Sequence, residues 1–164
     1  MKVRESGMPD ERLWESFFDP RLILSSMALT RTSTDVLEFG CGYGTFTTIA
    51  AQIIQGTVFA LDIDHAMLTI AGAKSAELGL SNIEYRARDF LHDGSGLREA
   101  SVDYAMLFNI LHTEDPVDLL REAHRNLRPN GKVGVIHWNY DPETPRGPPM
   151  AIRPRPEDCE KWAA

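Results

Sequence analysis

A chain of 164 residues that is 43% hydrophobic can close one core and would bury roughly two-thirds of the surface its unfolded form exposes. The formal charge of -7, from 24 acidic against 17 basic residues, and the lack of a long Lys/Arg block set nucleic acid aside as a partner. Cys41 and Cys159 show no CxxC or Cys/His spacing, so neither a disulfide framework nor a metal site is expected, and a reducing cytoplasm fits. The N-terminus MKVRESGMPDERLW has no apolar run of signal-peptide type, and nothing approaches roughly 18 uninterrupted apolar residues, so secretion and membrane spanning both lack support.

In chain order, Pro9 to Leu29 reads as one or two helices whose Trp14, Phe17 and Phe18 are either core or a lid. From Asp35 to Asn139, short β-rich apolar runs alternate with helical periods, the signature of βαβ units and a parallel sheet. The first strand, Asp35 to Phe39, ends in Gly40-Cys41-Gly42-Tyr43-Gly44 and passes into a helix carrying Phe46, Ile49, Ala50 and Ile53 at helical spacing. The second, Thr57 to Leu61, closes at Asp62; the helix after it runs to about Leu78, where Gly79 stops it. The third strand, Ile83 to Arg88, ends at Asp89, and the fourth, Val102 to Phe108, at Asn109. Asp115 with Pro116 is an N-cap followed by N1 of a helix with Val117, Leu120, Ala123 and Leu127 inward. Pro129-Asn130-Gly131 turns the chain into the fifth strand, Lys132 to His137, and a Pro-rich stretch from Asp141 is expected to be loop.

Ligands of a doubly wound sheet sit beyond the carboxyl ends of its strands, so the strand-final residues carry the functional signal. Glycines at 40, 42 and 44 let the backbone turn tightly and approach a ligand. Asp62 stands 22 positions past Gly40, where a carboxylate accepts hydrogen bonds from ribose hydroxyls. Asp64 is better placed to cap the following helix, which leaves Asp62 available. Together the two strand ends indicate an adenosine ligand. A dinucleotide turn wants its third glycine one position later, where Thr45 stands, and Glu38 would repel a pyrophosphate but welcome a cationic amino acid moiety. That favours S-adenosylmethionine (SAM) over NAD.

VLEFGCGYGTFT resembles motif I of class I SAM-dependent methyltransferases, and FALDIDHAML resembles the strand-two motif that follows it. The likeness continues through YRARDF, FNILHTEDPVDLLREAHRNLRPNGK and VGVIHWN, covering about Ser33 to Asn139. The resemblance implies an α/β, doubly wound Rossmann-like parallel sheet of about five strands, lacking the family's last two strands. It divides the chain into a helical lid at 1–32, a SAM-binding core at 33–139, and a Pro-rich tail with the start of a helix at 140–164. By resemblance, the turn of Gly40, Cys41, Gly42 and Gly44 wraps the methionine part of SAM, Glu38 orients its amino group, and Asp62 holds the ribose hydroxyls. Ile63 packs on an adenine face, Asp89 accepts from the adenine amino group, Phe90 adds a nearby contact, and Asn109 lines the methionine end.

The implied activity is transfer of the SAM methyl group to a small molecule, since SGMPDERLWESFFDP is similar to the helix that closes over the cofactor in small-molecule members. A SAM-binding protein without catalysis and, more remotely, an NAD-dependent oxidoreductase are the rival readings. After the fourth strand, Asn109-Ile110-Leu111-His112 replaces the Pro-Pro-aromatic signature of amide and base methyltransferases, which argues against such targets. His112 and His137 are candidate general bases, each with the alternative of a hydrogen-bonded loop histidine, while SAM brings its own leaving group and does not require a base. Cys41 reads as a small buried filler. Finally, the fifth strand is an exposed edge, which recruits another strand: either a homodimer forms through it or the tail from Tyr140 folds across it, and the tail's prolines favour the dimer.

Overall fold

The computed structural model describes residues 9–144 and 146–164. Residues 1–8, which open the segment read above as a lid, and Pro145 in the tail lie outside the described residues.

Strands β1 (Val36–Phe39), β2 (Val58–Asp62), β3 (Ile83–Ala87), β4 (Val102–Phe108) and β5 (Leu127–Ile136) form one parallel sheet in the order β3-β2-β1-β4-β5. The order reverses between β1 and β4, so the carboxyl ends of those two strands flank the switch point where such sheets bind ligands. These are the five strands expected, with ends moved by a residue or so, except that β5 starts earlier. Leu127 already pairs with Val102, the register then breaks, and pairing resumes at Tyr104 with Lys132. The Pro129-Asn130-Gly131 turn is therefore a bulge within the strand, with Asn130 in the left-handed region at φ 67.

Local signals account for the helices. α4 (His65–Glu77) starts where the Asp64 carboxylate accepts the Ala66 N–H at 2.8 Å, and ends at Gly79, φ 67, whose N–H donates to Ala76 O at 3.0 Å. α6 (Pro116–Asn126) has Asp115 accepting from Asp118 N at 3.3 Å and Pro116 at its first position. α3 (Thr47–Ile53) follows the glycine turn. The N-terminal segment forms two short helices, α1 (Glu11–Glu15) and α2 (Pro20–Ser26). A one-turn helix, α5 (Phe90–Asp93), was not expected; Asp89 caps it by accepting from His92 N at 3.3 Å.

Both faces of the sheet are covered, which is why β4 is a near-continuous buried run broken at Asp103. One face packs Val36, Val58, Tyr104 and Met106 against Leu24 of α2 and Ala50 of α3. The other packs Leu37, Leu61 and Leu107 against Leu119, Leu120 and Ala123; burying each of these leucines contributes about 1.5 to 3 kcal/mol.

After β5 the tail is more ordered than its prolines suggest. Arg153, 7% exposed, gathers the loop by donating to the carbonyls of Pro148 (2.9 Å), Asn139 (2.8 Å) and Arg146 (2.9 Å). A short 3-10 turn, Met150–Ile152, follows, and then α7 (Pro156–Ala163). What reads in sequence as the beginning of a helix is two full turns, with Cys159 and Trp162 packed beside the cluster that includes α6. Among the described residues no tail strand pairs with β5, which stays at the sheet edge with Val133 partly exposed.

Candidate active site

The strand ends open into a cavity of about 390 Å³. One end is the glycine turn. Gly40, Gly42 and Gly44 have φ of 76, 51 and 75, values that only glycine adopts without strain, and the Gly40 and Cys41 amides both donate to Leu61 O, at 2.8 and 2.9 Å. The turn is thus pinned to β2 before α3 begins. Gly44 has a different duty from its neighbours. It does not line the cavity, and a side chain there would come within 2.9 Å of the Ala71 methyl group on α4. Gly40 and Gly42 border the cavity; Gly44 lets a helix approach.

Two carboxyl groups stand beside this turn. Glu38, 3% exposed, accepts a short hydrogen bond from the Thr47 hydroxyl. Burial, opposed by that bond and reinforced by the Asp62 charge, pushes its carboxyl up to about 8. The same burial and the same two carboxylates push the Cys41 thiol well above its ordinary range, so Cys41 is no nucleophile. Asp62 is also raised, chiefly by burial. Its Oδ2 accepts from Gly42 N at 2.8 Å and its Oδ1 from Asp64 N at 2.9 Å. The carboxylate read from sequence as available is already tied to the backbone, and the tie fixes its orientation at the cavity wall.

Ile63, Asp89 and Phe90 line the far side of the cavity, with the Phe90 ring packed edge-on against Phe39 at 5.3 Å. Asn109 closes the near side from the end of β4, in the left-handed region at φ 56, a conformation asparagine tolerates better than most residues. Among the described residues, the buried side-chain polar atoms that lack a hydrogen-bond partner are Thr45 Oγ1, Asn109 Nδ2 and Thr113 Oγ1. All three residues line this one cavity. Leaving a buried polar atom unsatisfied costs about 1 to 3 kcal/mol, and three such atoms around one space describe a binding site shaped for a polar ligand. The residue set fits an amino acid moiety at the turn and a ribose at Asp62.

A family model described as a methyltransferase domain matches residues 36–131, the stretch that builds this cavity. The chain belongs to the methyltransferase-domain family. It is 29% identical over 112 residues to the demethylmenaquinone methyltransferase of Lactococcus lactis, covering 66% of this chain and 44% of that protein. It is 31% identical over 112 residues to the ubiquinone biosynthesis O-methyltransferase of Pseudomonas syringae, with 66% and 46% covered. The crystal structure of a SAM dependent methyltransferase from Aquifex aeolicus superposes with a TM-score of 0.79 at 25% identity, over 93% of this chain and 80% of that one. The chain spans about half the length of the curated relatives it matches.

The family motifs do not explain the other end of the cavity. Its wall is aromatic: Trp14 from α1 and Trp138 from beyond β5 both line it, with ring centroids 6.3 Å apart. Phe17 lies 5.8 Å from Trp138, and Phe18 links Trp14 to Phe46 at 4.9 and 5.3 Å. α1 is held there by Lys74 of α4, whose Nζ lies 2.5 Å from both Glu11 and Glu15, and by the Tyr43 hydroxyl, which donates to Pro9 O at 3.2 Å. The tail supports Trp138 from behind, since a side chain at Gly147 would reach 2.6 Å from its ring. Sequence reasoning assigned no role to Trp138, Thr45 or Thr113, although all three lie within or beside quoted motifs. Period-two alternation past β5 would have placed Trp138 on the opposite side from His137.

The two candidate bases are brought together. His112, 5% exposed, lines the cavity, whereas His137 is not among the lining residues. The rings lie 5.5 Å apart at 69°, and His137 Nε2 is 3.4 Å from His112 Nδ1.

Proposed function

We propose that this chain transfers the methyl group of SAM to a small-molecule acceptor with a flat, apolar body. The observation that carries the reading is the gathering of three unsatisfied buried polar atoms, at Thr45, Asn109 and Thr113, around one cavity. Thr45 and Asn109 flank the turn where Glu38 can meet an ammonium group. Asp62 meets the ribose hydroxyls, Ile63 and Phe90 border the adenine, and Asp89 accepts from its amino group. When bound, SAM supplies an electrophilic methyl group on a sulfonium that is its own leaving group. The protein's part is to orient the acceptor and exclude water.

Trp14, Trp138 and Ile110 favour an acceptor ring over a charged polymer, and two relatives bear the names demethylmenaquinone methyltransferase and ubiquinone biosynthesis O-methyltransferase. α1 acts as the lid over this mouth, latched by Lys74 on Glu11 and Glu15. Paired through the open β5 edge, two copies form a homodimer, detectable as a doubled mass by light scattering at tens of micromolar; a monomer would dismiss that arrangement. The activity itself is tested by incubating the chain with SAM carrying an isotopic methyl group and a panel of phenols, quinols and amines. Label transfer to a ring-bearing acceptor is expected. Tight SAM binding with no transfer to any of them would leave a binding protein instead.

A further inference from the structure

Of the three buried polar atoms without a partner, Thr45 Oγ1 follows the glycine turn and Asn109 Nδ2 ends β4 beside β1. Thr113 Oγ1 belongs to the other end. It lies on the segment that joins β4 to α6, one residue after His112, whose ring is 5.5 Å from that of His137, the residue before Trp138. This segment is held at three points. At its start the Asn109 amide donates to Ile136 O of β5 at 2.7 Å. In its middle Leu111, 1% exposed, shares a core cluster with Leu119 and Leu120 of α6. At its end Asp115 caps α6. A β-branched side chain on so fixed a backbone has a stiff χ1, so its hydroxyl is set in place before any ligand arrives. Buried hydroxyls ordinarily find a partner within the fold; this one borders the cavity and has none.

We propose that Thr113 selects the methyl acceptor, its hydroxyl bonding an uncharged hydroxyl carried on the acceptor's ring while the ring lies against Trp14 and Trp138. A threonine hydroxyl has one donor and two acceptor positions and rotates to suit, so it can accept the proton of such an O–H group or donate to its oxygen. The charges on the cavity disfavour an anionic group in that place. Asp62, Asp64 and Glu114, the last adjoining Thr113, all line it. Arg88 lines it too, but its Nε and Nη2 donate to the carbonyls of Gly94 and Asp93, both at 2.5 Å. The acceptor class is thus a neutral phenol, and a ring of the same shape without the hydroxyl leaves Thr113 Oγ1 buried and unpaired, which is how a site rejects an analogue that lacks the group.

The proposal rests on the methyl-transfer reading for its acceptor, but its tests read stability and binding without turnover. In denaturant titration of the ligand-free chain, Thr113→Val should be as stable as the wild type or more so, because the hydroxyl it removes has no partner to lose. With the demethylated product of SAM filling the cofactor end, ligand-observed NMR compares phenol with toluene, in which a methyl group replaces the hydroxyl. The wild type should prefer phenol by about ten- to a hundredfold, Thr113→Ser should keep most of that preference, and Thr113→Val should lose it. Equal binding of the two ligands by the wild type, no binding of phenol, or a preference undiminished in Thr113→Val overturns the proposal. A Thr113→Val chain that unfolds or loses stability overturns it as well, since the hydroxyl would then be holding the loop. The expected preferences together with no methyl transfer from SAM to any phenol would sink the methyl-transfer reading and leave Thr113 as the selector of a bound ring.

Discussion

The two ends of the cavity are made in different ways. The end at β1 and β2 is mostly backbone: a glycine turn pinned to Leu61 O and a carboxylate locked by the Gly42 and Asp64 amides, all within one βαβ unit. The end at β4 and β5 is mostly side chain, and its parts come from far apart in sequence: Trp14 on α1, His112 after β4, Trp138 after β5, with Gly147 behind. A site built from main chain within a single unit holds a constant ligand. A site assembled by packing distant segments can change its occupant by exchanging a few side chains, which is how one fold serves many acceptors.

Gly42→Val should break the first end outright. A β-branched residue at φ 51 strains the turn and puts methyl groups into the cavity, so SAM affinity should fall more than about a hundredfold, as read by calorimetry, with circular dichroism showing the fold retained. Gly44→Ala separates ligand contact from packing. Its new methyl group meets Ala71 at 2.9 Å, so it should cost about 1 to 3 kcal/mol of stability in denaturant titration and much less in SAM affinity. Comparable losses of affinity in the two variants would erase the distinction drawn between these glycines.

At the aromatic end, Trp14→Ala should lower turnover about tenfold by admitting water and loosening the acceptor, while SAM affinity changes only a few-fold. Hydrogen exchange over Glu11–Glu15 should slow when SAM is added, because a lid is drawn from the least stable part of a structure; equal exchange with and without SAM would make α1 ordinary core.

A smaller effect comes from Glu38. With its carboxyl held at about 8 against an ordinary 4.5, the folded chain keeps a proton through that interval that the unfolded chain has lost. Stability without cofactor should therefore fall as pH rises from about 4.5 to about 8. Pairing with an ammonium group needs the carboxylate, so SAM affinity should move the opposite way and rise over the same interval. Calorimetry near pH 7 in buffers of different ionisation enthalpy should show a proton released on binding; no release would mean Glu38 stays protonated in the complex.

The contrast between the ends also marks how far the sequence could be read. The positions of the five strands, both Asp caps and the turn were legible because each depends on neighbours in the chain: Asp64 and Asp115 cap where they stand, and three alternating glycines announce a turn. The resemblance to class I methyltransferases agrees with the family match over residues 36–131. The Gly42 tie on Asp62 was hidden because it depends on a turn 20 positions away. The Trp14–Trp138 wall and the His112–His137 contact were hidden because nothing in a single sequence reports which distant side chains share a face. The tail was read as plain loop because its prolines conceal what Arg153 does with its carbonyls.

The central claim is that the glycine turn and Asp62 form one adenosine site selective for SAM. A calorimetric titration of SAM into the wild type and into Asp62→Ala addresses it directly, with NAD as the control ligand. We expect one SAM per chain, no heat from NAD, and a loss of about 1 to 3 kcal/mol in Asp62→Ala. Equal SAM affinity in both proteins, or NAD binding more tightly than SAM, would contradict it.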